Sequence, residues 1–297
     1  MSEPSRDLHV DFVGRLKARQ GRGHAAESRL IETILNDLHF ATHASASELA
    51  QAAGVSEPTV TRLARAIGFA HMREMKVHMA QALVIGGAYL RALPDTPKTD
   101  SKIVATVISR AHASLDLLGL ALGNLNVAEL GETLGAATQV LIYGTGGNSS
   151  MAAIEMQNRL FRLGLHTTAY VDPQLQRMSA AVAEAGTVIV AFSSSGQVGS
   201  VRDALKIGNE YGAMTIAVTK PASPLAKGAK LVVPFEFQED GGLLKPSSSR
   251  YALLALVDIL AMAAAESIGS AAVERLRRVR QSLTSSHILD PKNPVGD

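Results

Sequence analysis

Residues 45 to 68 read SASELAQAAGVSEPTVTRLARAIG, and this stretch decides the reading of the amino-terminal part of the chain. It holds two short amphipathic segments joined at Gly54. Ser45 followed by Glu48 is a capping-box signature for the first helix. Leu49, Ala50 and Ala53 form its expected buried side. Gly54 supplies the permissive backbone that ends one helix and turns into the next. Ser56 is expected to cap the second helix, with Pro58 in its first turn, where a missing N–H costs little. In that helix Val60, Leu63, Ala64 and Ile67 fall on one face, and Pro58, Thr61, Arg62 and Arg65 on the other. A short second helix with an apolar back and a Thr/Arg front is what a helix-turn-helix lays into the DNA major groove. An amphipathic helical hairpin with exposed Arg also occurs in proteins that never touch DNA, so spacing alone leaves both readings open.

The longer string AAGVSEPTVTRLARAIGFAHMREMK, residues 52 to 76, resembles the helix-turn-helix of the RpiR family of bacterial regulators. The resembling positions are Gly54, Val55, Ser56, Thr59, Val60, Arg62, Gly68, Phe69, Glu74 and Lys76, and the resemblance covers roughly residues 6 to 82. It implies a DNA-facing set of Ser56, Pro58, Thr59, Thr61, Arg62 and Arg65. Ser56 is expected to act as a cap and phosphate contact rather than a base reader.

The chain of 297 residues suits about two domains, and 46% hydrophobic residues provide for well-buried cores. There are no cysteines, which excludes disulfides, thiolate metal sites and Cys nucleophiles and fits a reducing cytoplasm. The opening MSEPSRDLHV has no apolar core, so no signal peptide is expected. The longest nearly apolar run, Ala252 to Ala265, is short for a membrane span and contains Asp258; it reads as a buried or interfacial helix. No membrane partner is expected. Net charge is +2, and residues 1 to 90 hold ten Lys and Arg against nine Asp and Glu. DNA contact must therefore come from a local arrangement rather than bulk attraction. His9, His24, His39, His43, His71 and His78 match no metal spacing, and no metal is expected.

Residues 6 to 20, 26 to 41 and 69 to 85 read as further helices, giving an all-α domain over residues 1–85. GGAYLRALPDTPKTD, residues 86–100, reads as a linker from its glycines and prolines. Residues 101–297 form the second domain. It opens with helices Ile103 to Leu122 and Val127 to Ala137. Strands at 140–143, 166–171, 187–192, 214–219 and 231–235 then alternate with helices at 151–163, 174–184 and 201–211. That rhythm marks an α/β three-layer fold with a parallel sheet covered on both faces. Ligands on such sheets sit beyond the carboxyl ends of the strands.

Two of those strand ends share one composition. GTGGNSS (Gly144 to Ser150) and SSSGQVGS (Ser193 to Ser200) each offer backbone N–H groups at a helix start, together with hydroxyls suited to an anion. Serines and glycines can equally cap helices and turn chains. Neither loop has the Lys of a P-loop, and Ser149 stands where a dinucleotide fingerprint needs its third glycine. No cofactor is expected.

This half resembles the SIS (sugar isomerase) domain, a flavodoxin-like phosphosugar-binding module, from about residue 120 to 268. The resembling stretches are VLIYGTGGNSS, RLFRLG (Arg159 to Gly164), MSAAVAEAGTVIVAFSSSG (Met178 to Gly196), GAMTIAVT (Gly212 to Thr219), SPLA (Ser223 to Ala226) and SSRYALLALVDIL (Ser248 to Leu260). A helix-turn-helix joined to a SIS domain is the architecture of RpiR regulators. The resemblance implies a ligand phosphate held by Ser193, Ser195 and Gly196 with Gly146 and Asn148; Gly144, Ser149, Gln197 and Val198 complete the candidate set. Two positions depart from the family. Asn148 stands where Ser is common, and Val198 stands where Thr usually supplies a hydroxyl. The effector expected is a phosphorylated sugar or sugar acid.

Isomerisation would need a general base at the pocket. Glu155, Glu184, Glu210, Glu236, Glu239, His112, His166 and His287 form no constellation with the two loops. The expectation is a cytoplasmic, non-enzymatic transcriptional regulator, a repressor of carbohydrate or central carbon metabolism genes. It would bind double-stranded operator DNA as a dimer or tetramer, with Tyr251 to Ala265 a candidate interface or core helix. The alternative is a phosphosugar isomerase with an accessory helical domain.

Overall fold

Six helices build the first of two units into which the chain divides in the computed structural model, which describes residues 11–90, 100–237 and 247–285. They are α1 (Phe12–Arg19), α2 (Ala25–Asn36), α3 (Leu38–His43), α4 (Ala46–Ala52), α5 (Glu57–Ala66) and α6 (Met72–Leu90). One apolar face of each meets in a single core: Leu16, Ile31, Ile34, Leu49, Leu63, Met75 and Met79 have essentially no exposed surface. Two expectations are corrected here. The helix expected over residues 26 to 41 is two helices, because the Asp37 side chain accepts from the Phe40 N–H at 2.8 Å and starts a new one. The linker expected from residue 86 starts later, since Gly86 to Leu90 continue α6. A glycine inside a helix costs only about 1 kcal/mol, too little to stop a helix by itself. Residues 91–99 of that linker lie outside the described residues, as do residues 1–10.

The second unit opens with α7 (Asp100–Leu122) and α8 (Val127–Gly135). Strand and helix then alternate through β1 (Gln139–Gly144), α9 (Gly147–Phe161), β2 (Thr167–Tyr170), α10 (Pro173–Ala181), β3 (Thr187–Ser193), α11 (Gly199–Glu210), β4 (Met214–Thr219), α12 (Pro224–Gly228) and β5 (Leu231–Pro234), and the unit closes with α13 (Ser249–Ile268) and α14 (Ser270–Ser285). Sequence periodicity did not anticipate α12 or α14. All five strands are parallel, in the order β2-β1-β3-β4-β5.

The period-2 alternation of strands sorts the side chains into two cores. Val140, Ile142, Val188, Val190, Ile216 and Val218 point to one face, covered by α9, α8 and α13. Leu141, Tyr143, Ile189, Ala191 and Ala217 point to the other, which packs on Ala180 of α10 and on Val201 and Leu205 of α11. The result is the three-layer α/β arrangement expected. Helix α13 is a core element, with Ala252, Leu253, Leu256, Val257, Leu260 and Ala264 buried. Its buried side is the core packing expected for Tyr251 to Ala265 as one of the two readings. The helix runs so close to α8 that a Cβ on Gly131 would collide with the Ala263 carbonyl.

The strand order reverses between β1 and β3. Carboxyl ends of neighbouring strands diverge there, and open α/β sheets bind ligands at such switch points. The loops after β1 and β3 are the two Gly/Ser segments.

Candidate functional site

Helix α4 begins with a complete capping box. The Ser45 N–H donates to Glu48 Oε2 at 2.7 Å and the Glu48 N–H donates to Ser45 Oγ at 3.1 Å. The bonds from the Ser45 backbone and then its side chain hold the Glu48 carboxyl below the ordinary carboxylate range. The turn that follows pivots on Gly54, whose φ of +61° is a left-handed conformation disfavoured for residues with a Cβ. Arg29 Nη2 donates to the Gly54 carbonyl at 3.2 Å, a brace from α2 that local periodicity did not reveal.

Helix α5 buries Val60, Leu63 and Ala64. Pro58, Arg62, Arg65 and Ser56 are exposed and Thr61 is half-buried, so these five occupy the open face. Thr59 does not. It is 7% exposed, because position 59 lies one turn before Leu63 on the buried stripe. Its Oγ1 accepts from Arg62 Nη2 at 3.1 Å and lies 3.0 Å from Ser56 Oγ. Thr59 therefore positions Arg62 rather than facing outward. Ser56 is the N-cap by place alone: its hydroxyl pairs with Thr59 and caps no backbone N–H.

In the second unit the first loop turns tightly at the end of β1. A Cβ on Gly144 would strike the Ser149 carbonyl, so the backbone can double back only with glycine there. Gly146, at φ +82°, is the N-cap of α9. Gln176 of α10, with no exposed surface, anchors the loop from below: its Nε2 donates to the Tyr170 carbonyl at 2.8 Å and to Thr145 Oγ1 at 3.1 Å. Gly146 and Gly147 are exposed, Asn148 is half-buried and Ser149 is buried. Asn148 Nδ2 donates to Ser247 Oγ at 3.0 Å, and Ser247 Oγ lies 2.9 Å from Ser249 Oγ at the start of α13. The serine run before α13 thus joins the first loop. No spacing argument could have found this contact between residues 99 positions apart.

The second loop is organised from beneath. Ser193 is buried, and its Oγ accepts from the Gly196 N–H at 3.2 Å. Thr219 Oγ1 donates to the Ser193 carbonyl at 2.6 Å, and Ser223 Oγ accepts from the Ala226 N–H at 3.2 Å. A Cβ on Gly196 would meet Ser223 and Thr219. Ser194, Ser195 and Gln197 remain exposed, and Val198 is the N-cap of α11. The candidate set therefore divides. Gly146, Asn148, Ser195, Gln197 and Val198 lie at the open rim, whereas Gly144, Ser149, Ser193 and Gly196 shape the loops from within.

By helix geometry the first N–H groups of α9 and α11 have no carbonyl partner inside the helix, and both ends carry partial positive charge. Neither loop contains Lys or Arg. Three of the candidate general bases are paired with cations: Glu155 with Arg159 at 2.7 Å, Glu210 with Lys206 at 3.9 Å, and Glu236 with Lys220 at 2.7 Å. Glu239 and His287 lie outside the described residues. Among the described residues no cluster of His, Asp and Glu could hold a metal ion.

Comparison with known proteins covers both units. The helix-turn-helix domain of the rpiR family matches residues 13–85, and the SIS domain matches residues 134–263. The chain is 31% identical over 284 residues to the HTH-type transcriptional regulator HexR of Pseudomonas aeruginosa, covering 95% of this chain and 99% of that protein. It is 29% identical to HexR of Escherichia coli over 277 residues, covering 93% and 96%. Among solved structures, Vibrio vulnificus NanR complexed with ManNAc-6P superposes with a TM-score of 0.58 at 22% identity, over 93% of this chain and 99% of that one. The sugar isomerase domain of an RpiR transcription factor from Sphaerobacter thermophilus gives 0.53 at 23% identity, over 61% and 99%. These structural likenesses support the fold.

Proposed function

The chain belongs to the rpiR family of helix-turn-helix transcriptional regulators, and we propose that it represses carbohydrate or central carbon metabolism genes under the control of a phosphorylated sugar or sugar acid. It is a DNA-binding regulator with a SIS sensor domain, not an enzyme. The observation that carries the effector reading is the pairing of two Gly/Ser loops at the β1/β3 switch point, each opening onto a helix N-terminus. With no cation in either loop, backbone N–H groups, hydroxyls and helix ends must neutralise the anion. Asn148 and Ser195 are the side chains placed to donate. Val198 contributes no hydroxyl, which shifts selectivity toward ligands that need fewer donors there. Vibrio vulnificus NanR, solved in complex with ManNAc-6P, supports the same ligand class for this chain.

Arg62, Arg65, Thr61 and Pro58 form the proposed DNA-reading face, with Ser56 at its edge. One small helix-turn-helix with almost balanced charge binds weakly. Two copies reading half-sites about 34 Å apart, or a multiple of that, gain affinity by acting together. The proposal thus includes at least a homodimer working in the cytoplasm on an inverted-repeat operator. We propose a division into a helical DNA-binding domain that runs through α6, a linker after Leu90 and a sensor domain from residue 101.

A thermal-shift screen of the purified protein against sugar phosphates and phosphorylated sugar acids tests the effector reading. A true ligand at a hundredfold excess over its Kd stabilises by about 2.7 kcal/mol. No shift with any member of either class, alongside retained operator binding, would remove the effector and leave the DNA-binding role.

A further inference from the structure

Helix α2 buries Leu30, Ile31 and Ile34, and that inward stripe leaves Arg29 on the solvent side. The Arg29 side chain reaches the turn between α4 and α5, 25 positions along the sequence, where Nη2 donates to the Gly54 carbonyl at 3.2 Å. That bond uses one of the five N–H donors of a guanidinium and leaves its charge in place. Arg19, on α1, is neutralised by Glu27 at 2.6 Å. Arg29 has no carboxylate partner among the described residues. The turn around it is open: Gly54 is exposed, and a Cβ added there would meet nothing within 4 Å. An exposed, uncompensated guanidinium from α2 thus sits at the turn of the helix-turn-helix, though α2 is neither of its two helices.

We infer that Arg29 is a DNA contact: its guanidinium takes a backbone phosphate beside the groove that α5 enters. In a docked helix-turn-helix the first helix crosses the phosphate backbone and the start of the second reaches base edges, so the turn between them lies close to the strand. Gly54 stands two residues before Ser56 at the start of α5. The planar fork of a guanidinium matches two phosphate oxygens at once. The bond to Gly54 holds the long side chain near the turn before DNA arrives, which lowers the cost of ordering it in the complex. A backbone contact fixes register and adds affinity without reading sequence. It also answers the charge problem of this unit, in which ten Lys and Arg face nine Asp and Glu over residues 1 to 90. One cation without an acidic partner, placed at the turn, does locally what bulk attraction cannot. The inference rests on the proposal that α5 carries the DNA-reading face, and it adds α2 to the interface.

Gel-shift titrations of the full-length protein on operator and random duplexes, each over a salt series, test this. Arg29→Gln removes the charge, and because position 29 is exposed and Gln suits a helix, α2 should be kept. On both duplexes the slope of log K against log salt should become shallower by about 0.9, the value of one phosphate contact. Affinity should fall about tenfold on both, as for a lost hydrogen bond to a charged group. Arg29→Lys keeps the charge and should keep the slope. Arg29→Met is a second uncharged variant, so a fold defect peculiar to Gln would not decide the outcome. Slopes equal to wild type in both uncharged variants, whatever their affinity or melting temperature, would overturn the phosphate contact and leave Arg29 a brace of the turn. Arg62→Ala, run alongside, reports on α5 itself: unchanged operator affinity there would remove the DNA-reading face, while the salt slopes would still decide on Arg29.

Discussion

Asn148 Nδ2 donates to Ser247 Oγ at 3.0 Å, tying the loop after β1 to the serine run that starts α13. The amide occupies the rim of the candidate effector site, so it is positioned both to brace the loop and to meet a ligand. Asn148→Ala should weaken effector binding by about 1–3 kcal/mol, the range for losing a hydrogen bond to a charged group. Ser195→Ala should cost a similar amount. Isothermal titration reads both. Operator affinity without effector should stay at the wild-type value, and a drop there would mean that the substitution damaged the fold.

The sensor and the reading head must be coupled reciprocally. If effector lowers operator affinity by some factor, operator DNA lowers effector affinity by the same factor. Titrating effector with and without operator should therefore give two different Kd values. Equal values would show a sugar-phosphate site that does not signal to DNA.

Arg62 and Thr59 predict separable losses on DNA. Arg62→Ala should cost about 1–3 kcal/mol on the operator if it reads a base edge, and little on random DNA. Arg65→Ala should weaken both sequences alike and lower the salt slope by about 1, as expected of a phosphate contact. Thr59→Val keeps the buried volume but removes the acceptor that holds Arg62 Nη2. It should produce a weaker version of the Arg62→Ala loss, and Thr59→Ser should restore affinity. Gel-shift titrations on operator and random duplexes distinguish these outcomes.

Tyr143 gives a pH dependence to the sensor unit. Its side chain has no exposed surface, and burial pushes its hydroxyl up to about 12, an effect partly offset by the bond with Ser179 at 2.9 Å. A phenol whose folded value lies above its unfolded value near 10 contributes stability below pH 10. That contribution is lost as pH rises toward 12, by roughly 3 kcal/mol in total. Denaturant midpoints measured from pH 9 to 11.5 should fall for wild type and fall less for Tyr143→Phe. Parallel curves would show that the buried hydroxyl is not the cause.

Two glycines predict different costs. Gly54→Ala meets open space and suffers only the backbone penalty of a left-handed conformation, about 1–2 kcal/mol. Gly144→Ala places a Cβ into the Ser149 carbonyl and should cost more, while also displacing the first loop. Denaturation of each variant gives the ranking, and effector binding should be lost in Gly144→Ala alone.

Much of the architecture is legible in the chain because it rests on local repetition. The apolar stripe of Val60, Leu63 and Ala64, the capping box of Ser45 and Glu48 and the continuous apolar run from Val188 to Phe192 are each local signals that one short stretch of chain carries. Each appears where that local signal places it. The two Gly/Ser loops were legible for the same reason, as turns between a strand and a helix. Tertiary packing decided the rest. Thr59 faces inward because its stripe is needed against the neighbouring helices, and a Thr at that spacing is compatible with either face. The division of a helix at Asp37 is the exception, a local cap on the Phe40 N–H three residues on that the apolar pattern across it obscured. Ser247 reaches Asn148, and Arg29 reaches Gly54, only after distant segments are brought together by burial of their apolar neighbours. Periodicity records which face of an element is apolar; which polar groups then meet depends on how the elements are stacked.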